Sequence, residues 1–188
     1  MKLSIVTIAL LSTLSATASA EGFFWGAAVG QSYSNLCPPN GGPYSCTTTG
    51  DAFVVSAGYS FTPNFSIEAD YQILGTIAAY DSSNTGGAAT SSTKANAVVV
   101  AATENLEITK NLSFLGKLGI AGISIDQPTL SSTNTASNTN FVYGLGLQYD
   151  FTKGVAGRAL WENLGSVGDA STSQSRMSLL SMGLIFKY

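Results

Sequence analysis

The sequence predicts an all-β fold: an eight-stranded, antiparallel, up-and-down transmembrane β-barrel preceded by a cleavable signal peptide. Three observations predict it. Eight stretches alternate apolar residues with small or polar ones, the period-2 signature of a strand with one greasy face. The connections between them run long, short, long, short, long, short, long. Charged residues make up only 10% of the chain, against about 25% in an ordinary soluble domain.

The N-terminus supplies a destination. Lys2 is a positive n-region, Leu3–Leu14 an apolar stretch and Ala18-Ser19-Ala20 a small-x-small cleavage site, so residues 1–20 read as a secretory signal peptide. No Cys follows the cut, which argues against a lipid anchor. The expected mature domain is residues 21–188. Its longest apolar run, Ala97–Ala102, falls far below the roughly 20 residues a spanning helix needs. A membrane location therefore requires a closed barrel, because lipid satisfies no open strand edge.

Glu21–Tyr33 places Phe23, Trp25, Ala27, Val29 and Tyr33 on one face, with Gly26, Ala28, Gly30 and Ser32 on the other. A long polar stretch, Ser34–Gly50, leads to Asp51–Phe61, which sets Phe53, Val55, Ala57, Tyr59 and Phe61 against small residues. Thr62-Pro63-Asn64 has turn chemistry. Phe65–Gly75 then alternates Phe65, Ile67, Ala69, Tyr71 and Ile73 with Ser66, Glu68, Asp70 and Gln72. A second polar stretch covers Asp81–Lys94. Ala95–Glu107 is a strand whose facing is ambiguous around Glu104 and stays open.

Thr109-Lys110-Asn111 is the second short turn. Leu112–Ile123 follows, with Phe114, Leu118 and Ile120 opposite Lys117, Gly119 and Ala121. Asp126–Thr139 reads as a third long loop. Asn140–Asp150 opposes Phe141, Tyr143, Leu145, Leu147 and Tyr149 to Gly144, Gly146, Gln148 and Asp150. After the turn 151–154, Val155–Leu164 sets Val155, Ala159 and Trp161 against Arg158, Leu160 and Glu162. Gly165–Ser175 is the fourth long loop. The last strand, Arg176–Tyr188, places Leu180, Met182, Leu184, Phe186 and Tyr188 together, and closes against the first.

In this arrangement the apolar face is the lipid face, and its aromatics fall into two girdles. Phe23, Trp25, Tyr59, Phe61, Phe65, Phe114, Tyr149, Phe186 and Tyr188 gather at the end of the short, periplasmic turns. Tyr33, Phe53, Tyr71, Tyr143 and Trp161 lie at the end of the four long, extracellular loops. A soluble eight-stranded carrier would put its apolar face inside and its charges outside. Here the charges sit mid-strand on the opposite face, which favours the membrane.

Other classes are poorly served. A formal charge of −3 offers no basic patch for nucleic acid. No cofactor is expected, and the absence of histidine leaves metal binding few ligands. Cys37 and Cys46 flank a turn-rich segment, and in an exported chain they are expected to form a disulfide.

The chain resembles the small eight-stranded OmpA-type outer-membrane barrels, a family of porin-like outer-membrane proteins. The resemblance rests on Gly144–Asp150 with Phe151-Thr152, on Arg158, Trp161 and Asn163–Asp169, and on Phe65–Tyr71, Phe114–Gly119 and Ser178–Tyr188. It implies an integral protein of the Gram-negative outer membrane, with lipid and lipopolysaccharide around it. The pattern Ser181, Gly183, Phe186 and Tyr188 resembles the terminal signal by which the barrel-assembly machinery recognises such proteins for insertion. Two departures stand out. Larger relatives continue into a peptidoglycan-binding domain, whereas this sequence stops at Tyr188, and Leu160 occupies a position that is often acidic.

Small outer-membrane barrels that are enzymes lean on a histidine base, so no enzymatic activity is expected here. What remains is a lumen charge cluster, Glu68, Asp70, Lys117, Arg158 and Glu162, in a barrel too narrow to be an open channel. Its plain reading is a charge-paired plug that pins register. The resemblance implies a sharper one, a gate in which Arg158 pairs with Glu68 when closed and changes partner when open. The expected function is a structural barrel with a polar, charge-paired lumen. The alternatives are a narrow porin for ions or small solutes, and an adhesin meeting a host or surface ligand through its loops.

Overall fold

Period-2 alternation with β-branched and aromatic residues on one face leaves extended strands as the backbone's best solution, and these strands find one another in sequence order. In the computed structural model, which describes residues 22–35, 45–81, 90–128, 133–167 and 175–188, they are β1 (Gly22–Ser34), β2 (Ser45–Thr47), β3 (Thr49–Ser60), β4 (Phe65–Asp81), β5 (Thr90–Glu107), β6 (Leu112–Pro128), β7 (Thr133–Asp150), β8 (Val155–Val167) and β9 (Ser175–Lys187). Every pairing is antiparallel, the eight long strands (all but β2) pair in chain order, and β9 returns to β1. The three-residue β2 pairs with the far end of β4. Eight long strands thus close into a barrel without a free edge around its girth, as a sheet in lipid requires.

The closing seam is well tied. Eleven register pairs run from Phe24↔Lys187 to Ser34↔Met177. On its outer surface Trp25 stacks on Phe186 at 4.6 Å and donates its indole N–H to the Tyr188 hydroxyl at 3.0 Å.

The three short turns share one construction. In Phe61-Thr62-Pro63-Asn64, Ile108-Thr109-Lys110-Asn111 and Phe151-Thr152-Lys153-Gly154, the first two amides both donate to the carbonyl that opens the next strand: Phe65, Leu112 and Val155. The threonine Oγ1 then accepts the amide of that same residue, at 2.9, 3.2 and 3.1 Å. Each turn points its leading apolar residue outward, with Phe61, Ile108 and Phe151 about half exposed.

The facing of Ala95–Glu107, open in the sequence, is resolved. Ala95, Ala97, Val99, Ala101 and Thr103 point inward and are buried, while Val98, Val100 and Leu106 point outward with Glu104. The stretches Asp81–Lys94 and Asp126–Thr139, expected as loops, are in part strand: β5 begins at Thr90, β6 runs to Pro128 and β7 starts at Thr133. Seventeen residues at about 3.3 Å each, tilted by about 45°, rise about 40 Å, well beyond an apolar belt of about 25 Å. The outward surface marks the boundary. The row Val100–Ile120–Phe141 gives way to Asn96–Ser124–Ser137 four residues further along each strand. Past that row the outward-parity positions, Lys94, Asp126 and Thr135, are polar as well, so the apolar alternation that advertises the strand is lost.

The interior is layered, and the polar, charge-paired character expected of the lumen belongs to only part of its height. At the short-turn end Phe24, Ala156 and Ile185 form a small apolar floor. Phe24 fits because Gly58 faces it: a Cβ at Gly58 would stand 2.4 Å from the Phe24 ring. The charges occupy the middle. Above them, towards the long loops, Leu74, Ile123, Val142, Leu164, Met177 and Leu179 pack with Ala52, Val54, Ala95, Ala97, Val99, Ala101, Ala121 and Ile125 into an apolar plug. The inward face is therefore aliphatic over much of its height, and its fully buried charges lie in the middle band.

Candidate functional site

Three strands bring the charged side chains into one layer. Glu68 and Asp70 come from β4, Lys117 from β6 and Arg158 and Glu162 from β8, each at an inward parity. Glu68, Asp70, Lys117 and Glu162 are all 2% exposed or less. Lys117 is the hub. Its Nζ lies 2.9 Å from Glu68 Oε1 and 2.8 Å from Glu162 Oε1, and it donates a hydrogen bond to Asp70 Oδ2. Arg158 donates to Glu68 Oε2 at 2.7 Å, so Glu68 is shared between both cations.

Four neutral or peripheral groups that the sequence reading left out of the site complete it. Gln72 donates to Glu162 Oε2 at 3.2 Å. Gln148 accepts from Arg158 Nε and Nη2 at 3.3 and 3.1 Å, and passes its own amide hydrogen to Asp150 Oδ1 at 3.4 Å. Asp150 in turn takes a hydrogen bond from Lys187 Nζ at 2.6 Å, where both side chains are about one-third exposed. A continuous polar column thus descends from Glu162 through Lys117, Glu68, Arg158 and Gln148 to the short-turn mouth. Its signal in the sequence was parity: Gln72, Gln148, Asp150 and Lys187 lie on the same inward face as the charges.

Leu160 is buried beside the layer, and the acidic contribution of β8 comes from Glu162. A cavity of about 20 Å³ adjoins the cluster, walled by Ser56, Glu68, Asp70, Lys117, Arg158 and Ser181 among others, with room for about one water. Among the described residues no acidic group converges as a metal ion requires. Lys117 occupies the centre instead. The layer can hold strands in register and oppose ion passage; it presents no nucleophile with a base.

The remaining residues singled out from the sequence fall elsewhere. Ser181 is buried at the cavity wall and Gly183 packs against Ala28, while Phe186 and Tyr188 belong to the seam beside Trp25. Cys37 lies outside the described residues, as does the stretch 1–20. Cys46 is placed by its backbone alone, opposite Tyr80.

The chain matches the model of the OmpA-like transmembrane domain over residues 18–188. It belongs to that family. Solved structures agree on the fold. Neisserial surface protein A superposes with a TM-score of 0.63 at 16% identity, covering 90% of this chain and 98% of that one. The N-terminal β-barrel domain of Pseudomonas aeruginosa OprF gives 0.57 at 17% identity, covering 88% and 99%. Ail, the attachment invasion locus protein of Yersinia pestis, solved with the heparin analogue sucrose octasulfate, gives 0.53 at 12% identity, covering 89% and 99%. A comparison with curated proteins finds no match. The OmpA-like domain described here is accordingly an integral β-barrel of the bacterial outer membrane, with its exposed aromatic and aliphatic face in lipid.

Proposed function

We propose that this OmpA-like barrel is a closed structural element of the outer membrane that carries a polar surface on its long-loop end. One observation carries the reading: the ionic layer is capped by an apolar plug in which Leu74, Val142, Leu164, Met177 and Leu179 are completely shielded from solvent. An ion entering such a layer would shed its hydration without receiving polar partners, and that cost blocks conduction. The porin alternative is thereby disfavoured. Purified protein in a planar lipid bilayer provides the test: no stable conductance steps are expected, and regular steps from the wild type would overturn the proposal.

In this reading the long loops face the exterior and the three short turns the periplasm, after removal of residues 1–20. Cys37 and Cys46 staple the first loop, and the barrel-assembly machinery engages Ser181, Gly183, Phe186 and Tyr188. Lipopolysaccharide surrounds the outer girdle, and the chain performs no catalysis.

A second reading, adhesion, is favoured by the strands that continue into water. β4 to β7 extend as strands of Ser/Thr/Asn-rich sequence past the apolar belt, and polar groups carried on a strand scaffold suit recognition. Ail binds a sulfated sugar analogue. Shortening the 126–139 hairpin and measuring adhesion to host cells and matrix tests it. Undiminished adhesion relative to the intact chain, or none in either, counts against it.

A further inference from the structure

Glu104 is a carboxylate on the lipid face. It is exposed, at the outward parity of β5, between Ala102 and the half-exposed Leu106. Its register partners are Phe65 on β4 and Gly116 on β6. The outward residues flanking Gly116 are Phe114 and Leu118, and across it on β7 stands Leu145; Phe65, Phe114, Leu118 and Leu145 are all exposed to lipid. Apolar side chains therefore surround Glu104. Among the described residues its carboxylate makes no hydrogen bond or ion pair.

A second feature coincides with it. A Cβ placed on Gly116 would meet no atom within 4 Å, so the surface beside the carboxylate is notched. Cross-strand neighbours in a sheet stand about 5 Å apart, which makes notch and carboxylate a single site. The height is that of the aromatic girdle: Glu104 pairs with Phe65, the first residue of β4, directly above the turn led by Phe61. Girdle aromatics sit at the headgroup level of a bilayer.

We propose that Glu104 and the Gly116 notch form a binding site for the ammonium headgroup of a phospholipid in the leaflet at the short-turn end. An anionic acceptor at headgroup depth, ringed by apolar surface, calls for a cation that arrives with its own acyl chains. A primary ammonium fits better than a quaternary one, because it brings N–H donors for a charge-assisted hydrogen bond. The notch spans one missing side chain, the width of a headgroup rather than of a protein interface of about 800 Å² per partner.

The test uses the full chain refolded in mixed phosphatidylethanolamine and phosphatidylcholine, which differ only in methylation of the nitrogen. Lipids retained by the folded protein are counted by native mass spectrometry, and heat-modifiable gel mobility verifies folding of each variant. Wild type should retain phosphatidylethanolamine over phosphatidylcholine by about three- to tenfold, the order one net hydrogen bond supplies at a water-accessible headgroup. Glu104→Gln and Gly116→Leu should each abolish that preference, the first by removing the charge and the second by filling the notch. Glu107→Gln, on the opposite parity, should leave it intact. Equal retention of both lipids by wild type, or an undiminished preference in folded Glu104→Gln, overturns the proposal. So does a photo-crosslinker at position 104 that captures a polypeptide and no lipid in cells.

Discussion

Lys117 is the residue on which the interior most depends. Among the described residues it is the one ammonium within reach of Glu68, Asp70 and Glu162, all of them removed from water. Replacing it by methionine keeps the volume but leaves Asp70 without its cation, Glu68 with Arg158 alone and Glu162 with the neutral Gln72, so Lys117→Met is expected to cost about 3–5 kcal/mol. Urea unfolding in lipid vesicles, followed by Trp25 and Trp161 fluorescence, measures this; a loss below about 1 kcal/mol would refute the hub assignment. Glu162→Gln should cost less, because three carboxylates face two cations and a glutamine retains a carbonyl acceptor for Gln72. At Gly58 the constraint is steric. Gly58→Val drives side-chain atoms into Phe24 and should cost about 1–3 kcal/mol, with Phe24→Leu restoring part of the loss in a double-mutant cycle.

At the scale of elements, the repeated turn is the most economical device. Each threonine completes its turn by accepting an amide that would otherwise lack a partner, and in the third turn Thr152 Oγ1 receives both Gly154 and Val155. Thr152→Ala is expected to lose about 0.5–1.5 kcal/mol. The loss should appear mainly as faster unfolding in urea with the fold intact, and an unchanged rate would show the hydroxyl to be dispensable. Much at this scale was legible in the sequence. Alternation gave the strands and the side each residue faces, from Phe23 on β1 to Tyr188 after β9, because lipid outside and a packed lumen inside impose period 2. Where the outward positions turn polar that signal vanishes, which is why Thr90–Thr93 and Thr133–Thr139 read as loop. The facing of β5 was hidden for a related reason: Glu104 sits outward among apolar residues, against the polarity rule that fixes the other strands.

For the whole molecule, parity says which way a side chain points but not how high it stands. Height depends on strand tilt and register, which bring Glu68 to Arg158 across 90 residues. The charged residues could therefore be named from the sequence, while their confinement to one layer beneath an apolar plug could not. That layering bears on the gate implied by the family resemblance, since freeing Arg158 from Glu68 leaves the plug of Leu74, Leu164, Met177 and Leu179 in place. Two barriers in series predict a specific pattern in planar-bilayer recordings of four proteins: wild type, Arg158→Ala, a plug variant with Leu74, Leu164 and Leu179 all changed to Ala, and the combination. Wild type and Arg158→Ala should both be silent, and stable steps should appear only once the plug is truncated, most often in the combination. Stable steps from Arg158→Ala with the plug intact would contradict the account and make the ion pair the gate.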